Sequence, residues 1–557
     1  MTTVHIFVGQ CGNQVGTTFL DTIASEAEAS LDEGYQMRVS ATHFRPALQV
    51  PRMGRQQPPL APTGAATVPS SEPPDASRCL RRQRYYSLSH YAQESERAAV
   101  DTSLPQPRCV LVDMEPKVID VTMKRVNGPL KSDTPPPSSH PQAAQCASRG
   151  FYSLAPQQCV TRGEGSGNNW AFGYHQQGQS RRDAIVECLR RESEQHGTAV
   201  STFHVLHSIA GGTGSGVSCL VAEEIKTMFP RTTLLHSVVW PFRCGEVVTQ
   251  WYNVLMAAST LRDLADGIFI ASNDAIAEEL KGARANHGFK DAGEVSFPLI
   301  NHRITELLTP LYLPQLLYTV PSPQRDVSKH RILGPRSGSR QGIVGSGSLR
   351  SVVEGTAPQR YATAMDVVES LSLDPVMKFF MGSLTPQRSN GSLTWAAALG
   401  EAARTATHTF TASTALGPFP SQGKGAPAHE TDVSAFYMQN RSCLWVLRGV
   451  AASTDGIREL RNLMADSAAS PFPMTSLFVT PVEEWRPSLS SSRPDQSVTL
   501  YGHTPTVGEA LADAACRAEE QLNVGAFVHH FERYGVSKAE LRDAAAVLYD
   551  TAAAYRV

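Results

Sequence analysis

The chain is short of charge and almost without net charge. Charged residues make up 18% of its 557 positions, against roughly 25% for an average domain. Its 50 Lys+Arg and 52 Asp+Glu leave a formal net charge of −2, which removes the basic footprint of a general nucleic-acid binder. Cysteine is sparse too: there are ten, none in CxxC spacing, and several, such as Cys188 and Cys219, sit in apolar stretches. Neither a disulfide framework nor a zinc knuckle is expected, and the thiols read as reduced, buried small hydrophobes. The start Met1–Val8 lacks the basic and long apolar regions of a signal peptide, and no apolar run approaches the ~20 residues of a membrane span. These absences predict a cytosolic protein that binds neither membrane nor nucleic acid.

Proline and glycine are clustered rather than scarce. The stretches Pro46–Pro107, Lys131–Gln145, Ser322–Gln359, Gly417–Thr431 and Pro487–Ser497 are rich in Pro, Gly, Ser or Arg and carry no sustained apolar period. Such segments bury too little surface to offset their ordering entropy, so they read as flexible insertions. Arg78–Arg84 is locally basic and reads either as a dock for an acidic tail or as a solvated loop.

Between the insertions the pattern alternates. Apolar runs at Val4–Val8, Cys109–Val112, Thr202–Ile209, Thr233–Val239 and Gly267–Ala271 read as strands, and Phe19–Glu28, Asp183–His196, Val217–Met228 and Tyr252–Leu264 as helices. Strands alternating with helices predict an α/β fold, a mostly parallel sheet covered on both faces, with ligands at the carboxyl ends of its strands.

Ser208-Ile-Ala-Gly-Gly-Thr-Gly-Ser-Gly216 follows a predicted strand and precedes a helix. Glycines there let the backbone approach a phosphate closely, N–H groups wrap it, and the helix N-terminus adds favourable dipole charge. The competing reading is a glycine-rich turn with no ligand. No Gly-Lys-Ser/Thr follows, which excludes a Walker A loop, and the first strand is followed by Gly9-Gln-Cys-Gly12, which has the wrong glycine spacing for a nicotinamide dinucleotide fingerprint. A third turn is Gly163-Glu-Gly-Ser-Gly-Asn-Asn169. Asp113 and Glu115 stand after the second strand, where a carboxylate holds water on a phosphate-bound magnesium ion or merely caps the next helix.

Gly9–Gln14, Val112-Asp-Met-Glu-Pro116, Gly165–Trp170 and Gly211–Gly216, in that order, resemble the nucleotide-contacting loops of the tubulin family. Longer stretches, Arg108–Ile119, Gly165–Tyr174 and Trp240-Pro-Phe242 with Gly245–Val248, resemble one specialised branch of it. The resemblance implies a tubulin-like fold: an N-terminal Rossmann-like GTPase domain over 1–301, an intermediate α+β domain over 302–486 and C-terminal helices over 498–557. It also implies GTP or GDP with Mg2+ as cofactors. Carried over by motif, Gln10 and Cys11 face the nucleotide, Glu115 with Asp113 serves the magnesium hydration shell, and Asn168 lies near the terminal phosphate. Ser208, Gly211, Gly212, Thr213, Gly214, Ser215 and Gly216 surround the phosphates. Asn273, Phe297 and Asn301 read and stack on guanine, although by themselves they read as a helix cap and a core aromatic. Glu246 and Gln250 stand at the ribose, where Gln250 replaces the family's glutamate and offers only a neutral amide.

Hydrolysis in polymerising members depends on an acidic residue that the next subunit inserts, so the resemblance implies a GTPase that acts only in an assembly. Asp366 matches that residue; Glu369, one turn on, is the alternative, and a solvated helix face is the plain reading of both. After Tyr549 the sequence runs to Arg556-Val557 without a glutamate-rich tail, an absence that argues against a bulk lattice subunit. By resemblance the branch works at basal bodies or centrioles with other tubulins and supports triplet microtubules, hence cilia and flagella. Competing readings are a polymerising tubulin of the general lattice and a non-hydrolysing tubulin-fold scaffold.

Overall fold

The computed structural model describes residues 2–46, 104–127, 151–195, 199–245, 247–286, 295–318, 360–372, 374–385, 394–411, 442–465, 476–481 and 496–555. The expected insertions at 131–145, 322–359 and 417–431, the basic Arg78–Arg84 run and Glu246 lie outside them. The edges of two further insertions are structured: Gln106–Pro107 pairs with Phe44–Arg45, and a strand begins at Gln496.

The first half builds β1 (Thr2–Val8), α1 (Gly9–Ala29), α2 (Glu33–His43), β2 (Phe44–Arg45), β3 (Gln106–Pro107), β4 (Cys109–Val112), α3 (Pro116–Asn127), β5 (Cys159–Val160) and α4 (Gln179–Glu194). Then follow β6 (Val200–Ser208), α5 (Ser218–Met228), β7 (Thr233–Trp240), α6 (Gln250–Leu264), β8 (Gly267–Ser272), α7 (Asn273–Asn286) and α8 (Phe297–Tyr312). The second half adds β9 (Leu316–Tyr318), β10 (Arg360–Tyr361), α9 (Ala364–Leu371), β11 (Phe379–Leu384), α10 (Trp395–Thr411), β12 (Cys443–Gly449), α11 (Ile457–Ala465), β13 (Ser476–Val479), β14 (Gln496–Gly502) and the helices α12 (Pro505–Asn523), α13 (Val528–Glu532) and α14 (Lys538–Ala554). The position expected to divide the first two domains, residue 301, falls inside α8. The region expected to be helical from residue 498 opens with the end of β14.

Among the described residues, one sheet of twelve strands runs β10-β9-β13-β12-β14-β11-β8-β7-β6-β1-β4-β5. Every pairing from β5 across to β11 is parallel, and β11 then meets β14 antiparallel. All of β1 is buried: Val4, Ile6 and Val8 enter one core layer and Phe7 the other. A parallel strand covered on both faces is a near-continuous apolar run, which is why Val4–Val8, interrupted by His5 alone, was legible. One layer takes α5, α6, α12 and α14, through residues such as Leu220, Leu255, Leu511 and Leu548. The opposite layer takes α1, α2 and α8, through Phe19, Val39 and Leu308. Because β1, β4, β5, β6, β7 and β8 run the same way, their carboxyl ends share one edge.

A histidine circuit pins the far end of α8 to the middle of the sheet. His43 Nε2 lies 2.9 Å from the Tyr312 carbonyl oxygen, which only accepts, so this nitrogen carries the proton. Neutral His43 then accepts at Nδ1 from His5 Nε2 at 3.0 Å, and His5 accepts at Nδ1 from His204 Nδ1 at 3.0 Å. His204 Nε2, left as an acceptor, takes the Ser237 hydroxyl at 2.9 Å. Ser237 is in turn a partner of the Tyr312 phenol, whose ring stacks on His204 at 4.2 Å. One carbonyl thereby sets three tautomers. Burial holds His43 down to about 4 and His204 to about 3, and His5 well below its ordinary value, so all three stay neutral.

Candidate nucleotide site

Four loops meet at the shared carboxyl edge. Gly9, directly after β1, has φ +77°, a conformation that a side chain strains, and a Cβ there would stand 3.0 Å from Gly214 N. The turn after β1 and the glycine loop after β6 therefore touch through backbone. Gly212 is as close on its other side, where a Cβ would lie 2.5 Å from Ser166 O and 2.6 Å from Asn169 N. At Gly214 it would overlap the Ser208 carbonyl oxygen. The glycines are needed for loop-to-loop approach as well as for approach to a ligand.

Side-chain bonds complete the cradle. Ser166 Oγ and Thr213 Oγ1 are 2.8 Å apart, and the Ser215 hydroxyl donates to Gly211 O at 2.6 Å. Ser215 is thus turned inward and consumed within the loop, whereas Thr213 is half-buried at the rim. Asn13 Nδ2 donates to Gly9 O at 2.9 Å and Val112 O at 3.2 Å, joining the turn after β1 to β4. A helical turn of π type, Thr213–Val217, leads straight into α5, so the loop sits at a helix N-terminus. Gln10 is exposed on the first turn of α1. Beside it Cys11 is pushed up to about 12 by burial and remains a thiol.

Asp113 is buried behind the cradle. Its Oδ1 accepts from Glu115 N at 3.0 Å, so it does cap the turn after β4, but its Oδ2 is buried with no partner. Desolvation raises its pKa to about 6. Glu115 is exposed, and its carboxylate lies over Gly165, where a Cβ would overlap Oε1. An orphaned carboxylate oxygen with an exposed carboxylate beside a glycine-lined loop fits a hydrated divalent cation.

Asn168 adopts φ +51°, and its carbonyl accepts from Thr249 Oγ1 at 2.7 Å and Asn253 Nδ2 at 2.9 Å. On the base side, Phe297 opens α8 and is 60% exposed, which removes the core-aromatic reading; its ring meets Phe242 edge-on at 6.3 Å. Asn301, one turn along α8, and Asn273, the first residue of α7, are both half-buried.

Two expected roles meet a different geometry. Gln250 is buried at the start of α6 with Nε2 donating to Phe242 O at 3.0 Å and Oε1 packed toward Gly245, so its amide closes its own loop instead of standing free for a ribose. Asp366 is neither a solvated nor a free acid. It is the third residue of α9, buried, with Oδ2 accepting from Thr363 N and Thr363 Oγ1 at 2.7 Å and from Arg360 Nη1 at 2.6 Å. Although burial pushes its pKa up, the bonds from Arg360 and Thr363 outweigh that and hold it below the usual carboxylate range. A capping box and an ion pair occupy the group expected to orient water; Glu369 is the exposed acid on that helix.

Asn253, Ser166 and Thr249 were not singled out from the sequence. The signal for Asn253 was available as the one amide inside Trp251-Tyr252-Asn253-Val254-Leu255, and a buried polar group in an apolar helix needs partners.

An open parallel sheet with glycine loops, a helix N-terminus and an unpaired carboxylate at one edge defines an α/β nucleotide-binding protein. Residues 2–281, half of the chain, match the Tubulin/FtsZ family, GTPase domain, and the chain belongs to that family. It is 26% identical over 276 residues to the tubulin delta chain of Macaca fascicularis, covering 50% of this chain and 46% of that one. To the tubulin delta chain of Mus musculus it is 24% identical over 562 residues, covering 100% and 99%. With the tubulin beta chain of Porphyra purpurea it shares 28% over 274 residues, 49% and 44%. The chain thus spans about half the length of most of these relatives and nearly all of the mouse one. The branch that Arg108–Ile119 and Gly165–Tyr174 resemble is delta-tubulin. No described helix is long and apolar enough to cross a membrane.

Proposed function

We propose that the chain binds GTP or GDP in the cradle and works as a specialised tubulin of the delta type. The observation that carries this reading is the convergence of the loops after β1, β4, β5 and β6 on one edge, with backbone approaches that only glycine permits. Gly211–Gly216 with Thr213 and Ser208 would surround the phosphates, Asn168 would stand at the terminal one, and Gln10 and Cys11 would face the nucleotide. Phe297, Asn273 and Asn301 would take the base. Magnesium would be held through water by Glu115, with Asp113 behind it, and would neutralise phosphate charge. Its partners are other tubulins, and its place is the cytoskeleton at the basal body or centriole, where it supports triplet microtubules and the assembly of cilia and flagella. The likeness to the mouse delta chain along the whole sequence supports that placement.

The burial of Asp366 favours a second reading of the chemistry, a tubulin that holds its nucleotide and turns it over slowly or not at all. The test is the nucleotide released by acid from protein purified without added nucleotide, beside a Thr213→Ala, Gly214→Ala double variant. Guanine nucleotide present in the wild type and lost in the variant is expected, with the GTP fraction reporting hydrolysis. A folded wild type that carries none and binds none on addition would overturn the proposal.

A further inference from the structure

Asn253 is fully buried and makes three bonds to two different loops. Its Oδ1 accepts from Trp170 N at 2.8 Å, and its Nδ2 donates to Asn168 O at 2.9 Å and to Ala210 O at 2.6 Å. Both amide donors and the acceptor are used, so the side chain has one orientation. The bond to Ala210 fixes more than a carbonyl. In a trans peptide the following N–H points opposite to the C=O, and no described peptide is cis. With Ala210 O drawn down toward α6, the Gly211 N–H is turned away from α6 to the open side of the glycine loop. It takes no hydrogen bond among the described residues. The next carbonyl, Gly211 O, is itself drawn inward by Ser215 N at 3.0 Å and Ser215 Oγ.

We infer that Asn253 is the positioning residue of the phosphate site: by holding the Ala210–Gly211 peptide in this one orientation, it presents the Gly211 N–H to a nucleotide phosphate. Were the peptide to turn over, a carbonyl oxygen would face the phosphate instead, replacing attraction with repulsion. The same side chain ties the loop bearing Asn168 to the loop bearing Gly211, so the two cannot separate without breaking it. Asn253 itself touches no ligand; it acts through backbone.

The inference rests on the nucleotide reading of the cradle, and the experiment separates the two. Affinities of GDP and of guanosine, which lacks phosphate, are measured for the wild type, Asn253→Asp and Asn253→Leu, with thermal melting of each as a check on folding. Asn253→Asp keeps the shape and the acceptor to Trp170 but sets a carboxylate oxygen against two carbonyls; Asn253→Leu removes all three bonds. One donor to a charged phosphate corresponds to roughly 10- to 100-fold in affinity. The expected result is a loss of about that size for GDP with guanosine binding within about threefold of wild type, so that the ratio of the two affinities falls. Equal losses for both ligands, or none for GDP, in whichever variant melts as a folded protein would overturn the positioning role while leaving the nucleotide reading standing. Failure of the wild type to prefer GDP over guanosine would remove both.

Discussion

Two polar clusters, one at the carboxyl edge of the central strands and one at the strands' middle, are built on opposite plans. At the carboxyl edge the cradle is open, with the Gly211 N–H and Asp113 Oδ2 left unsatisfied, and Glu115 and Gln10 in solvent. In the sheet's interior, the circuit of His5, His43, His204, Ser237 and Tyr312 is closed, its histidine nitrogens all engaged. Unmet polar groups await a ligand, whereas a fully met network serves order and a single tautomer state. Their titration has opposite sign. The circuit's histidines are depressed, so the unfolded chain takes up protons first and stability falls as pH drops below about 6.5 toward 4. Asp113 is raised from 3.8 to about 6, so its contribution is lost as pH rises through that window.

The largest effect is expected at the circuit. Replacing His204 by Ala leaves a buried cavity and strands the Ser237 and His5 partners, and a loss of about 3–5 kcal/mol is expected in denaturant unfolding. Nucleotide affinity of the molecules that remain folded should hold; a selective loss of binding with unchanged stability would refute the division. At the cradle the reverse is expected: Gly212→Ala, forced against Ser166 O and Asn169 N, should cut guanine-nucleotide affinity by more than ~100-fold, with a smaller effect on melting. Binding at wild-type strength would show that the loop has room to spare.

Acidification sharpens the contrast. Between pH 6.5 and 4 the circuit histidines, which take up protons in the unfolded chain and stay neutral in the fold, should together outweigh Asp113, so melting temperature should fall steeply with acid. A flat profile would mean that the histidines already share protons with solvent. Next in size, Asp366→Ala should lose about 1–2 kcal/mol as the capping box and the Arg360 pair go, while Glu369→Ala leaves stability unchanged. Loss of assembly-dependent turnover in the Glu369 variant alone would make that residue the acid. The smallest effect is expected of Asp113→Asn: near-normal folding, weaker dependence of nucleotide binding on magnesium, and none of the fall in affinity below pH about 6 that is expected of the wild type. Unaltered magnesium dependence in calorimetric titrations would remove Asp113 from the cation's surroundings.

Features that neighbouring residues decide were legible without the fold. Val4–Val8 reads as a buried strand, and Gly211–Gly216 reads as a loop at a helix start, because turn chemistry and apolar runs act over a few residues. Meetings between residues far apart in the chain emerged with the fold. His5, His43 and Tyr312 are 38 and 269 residues apart at their successive bonds, and as isolated residues they carried no signal. Asp366 looked like an exposed acid on a helix until Arg360 and Thr363 closed over it. Asn253 became a clamp only because the sheet brings the loops after β5 and β6 to the start of α6. Local pattern specifies backbone that bends or runs straight; partners for buried polar groups are chosen by where the strands carry them.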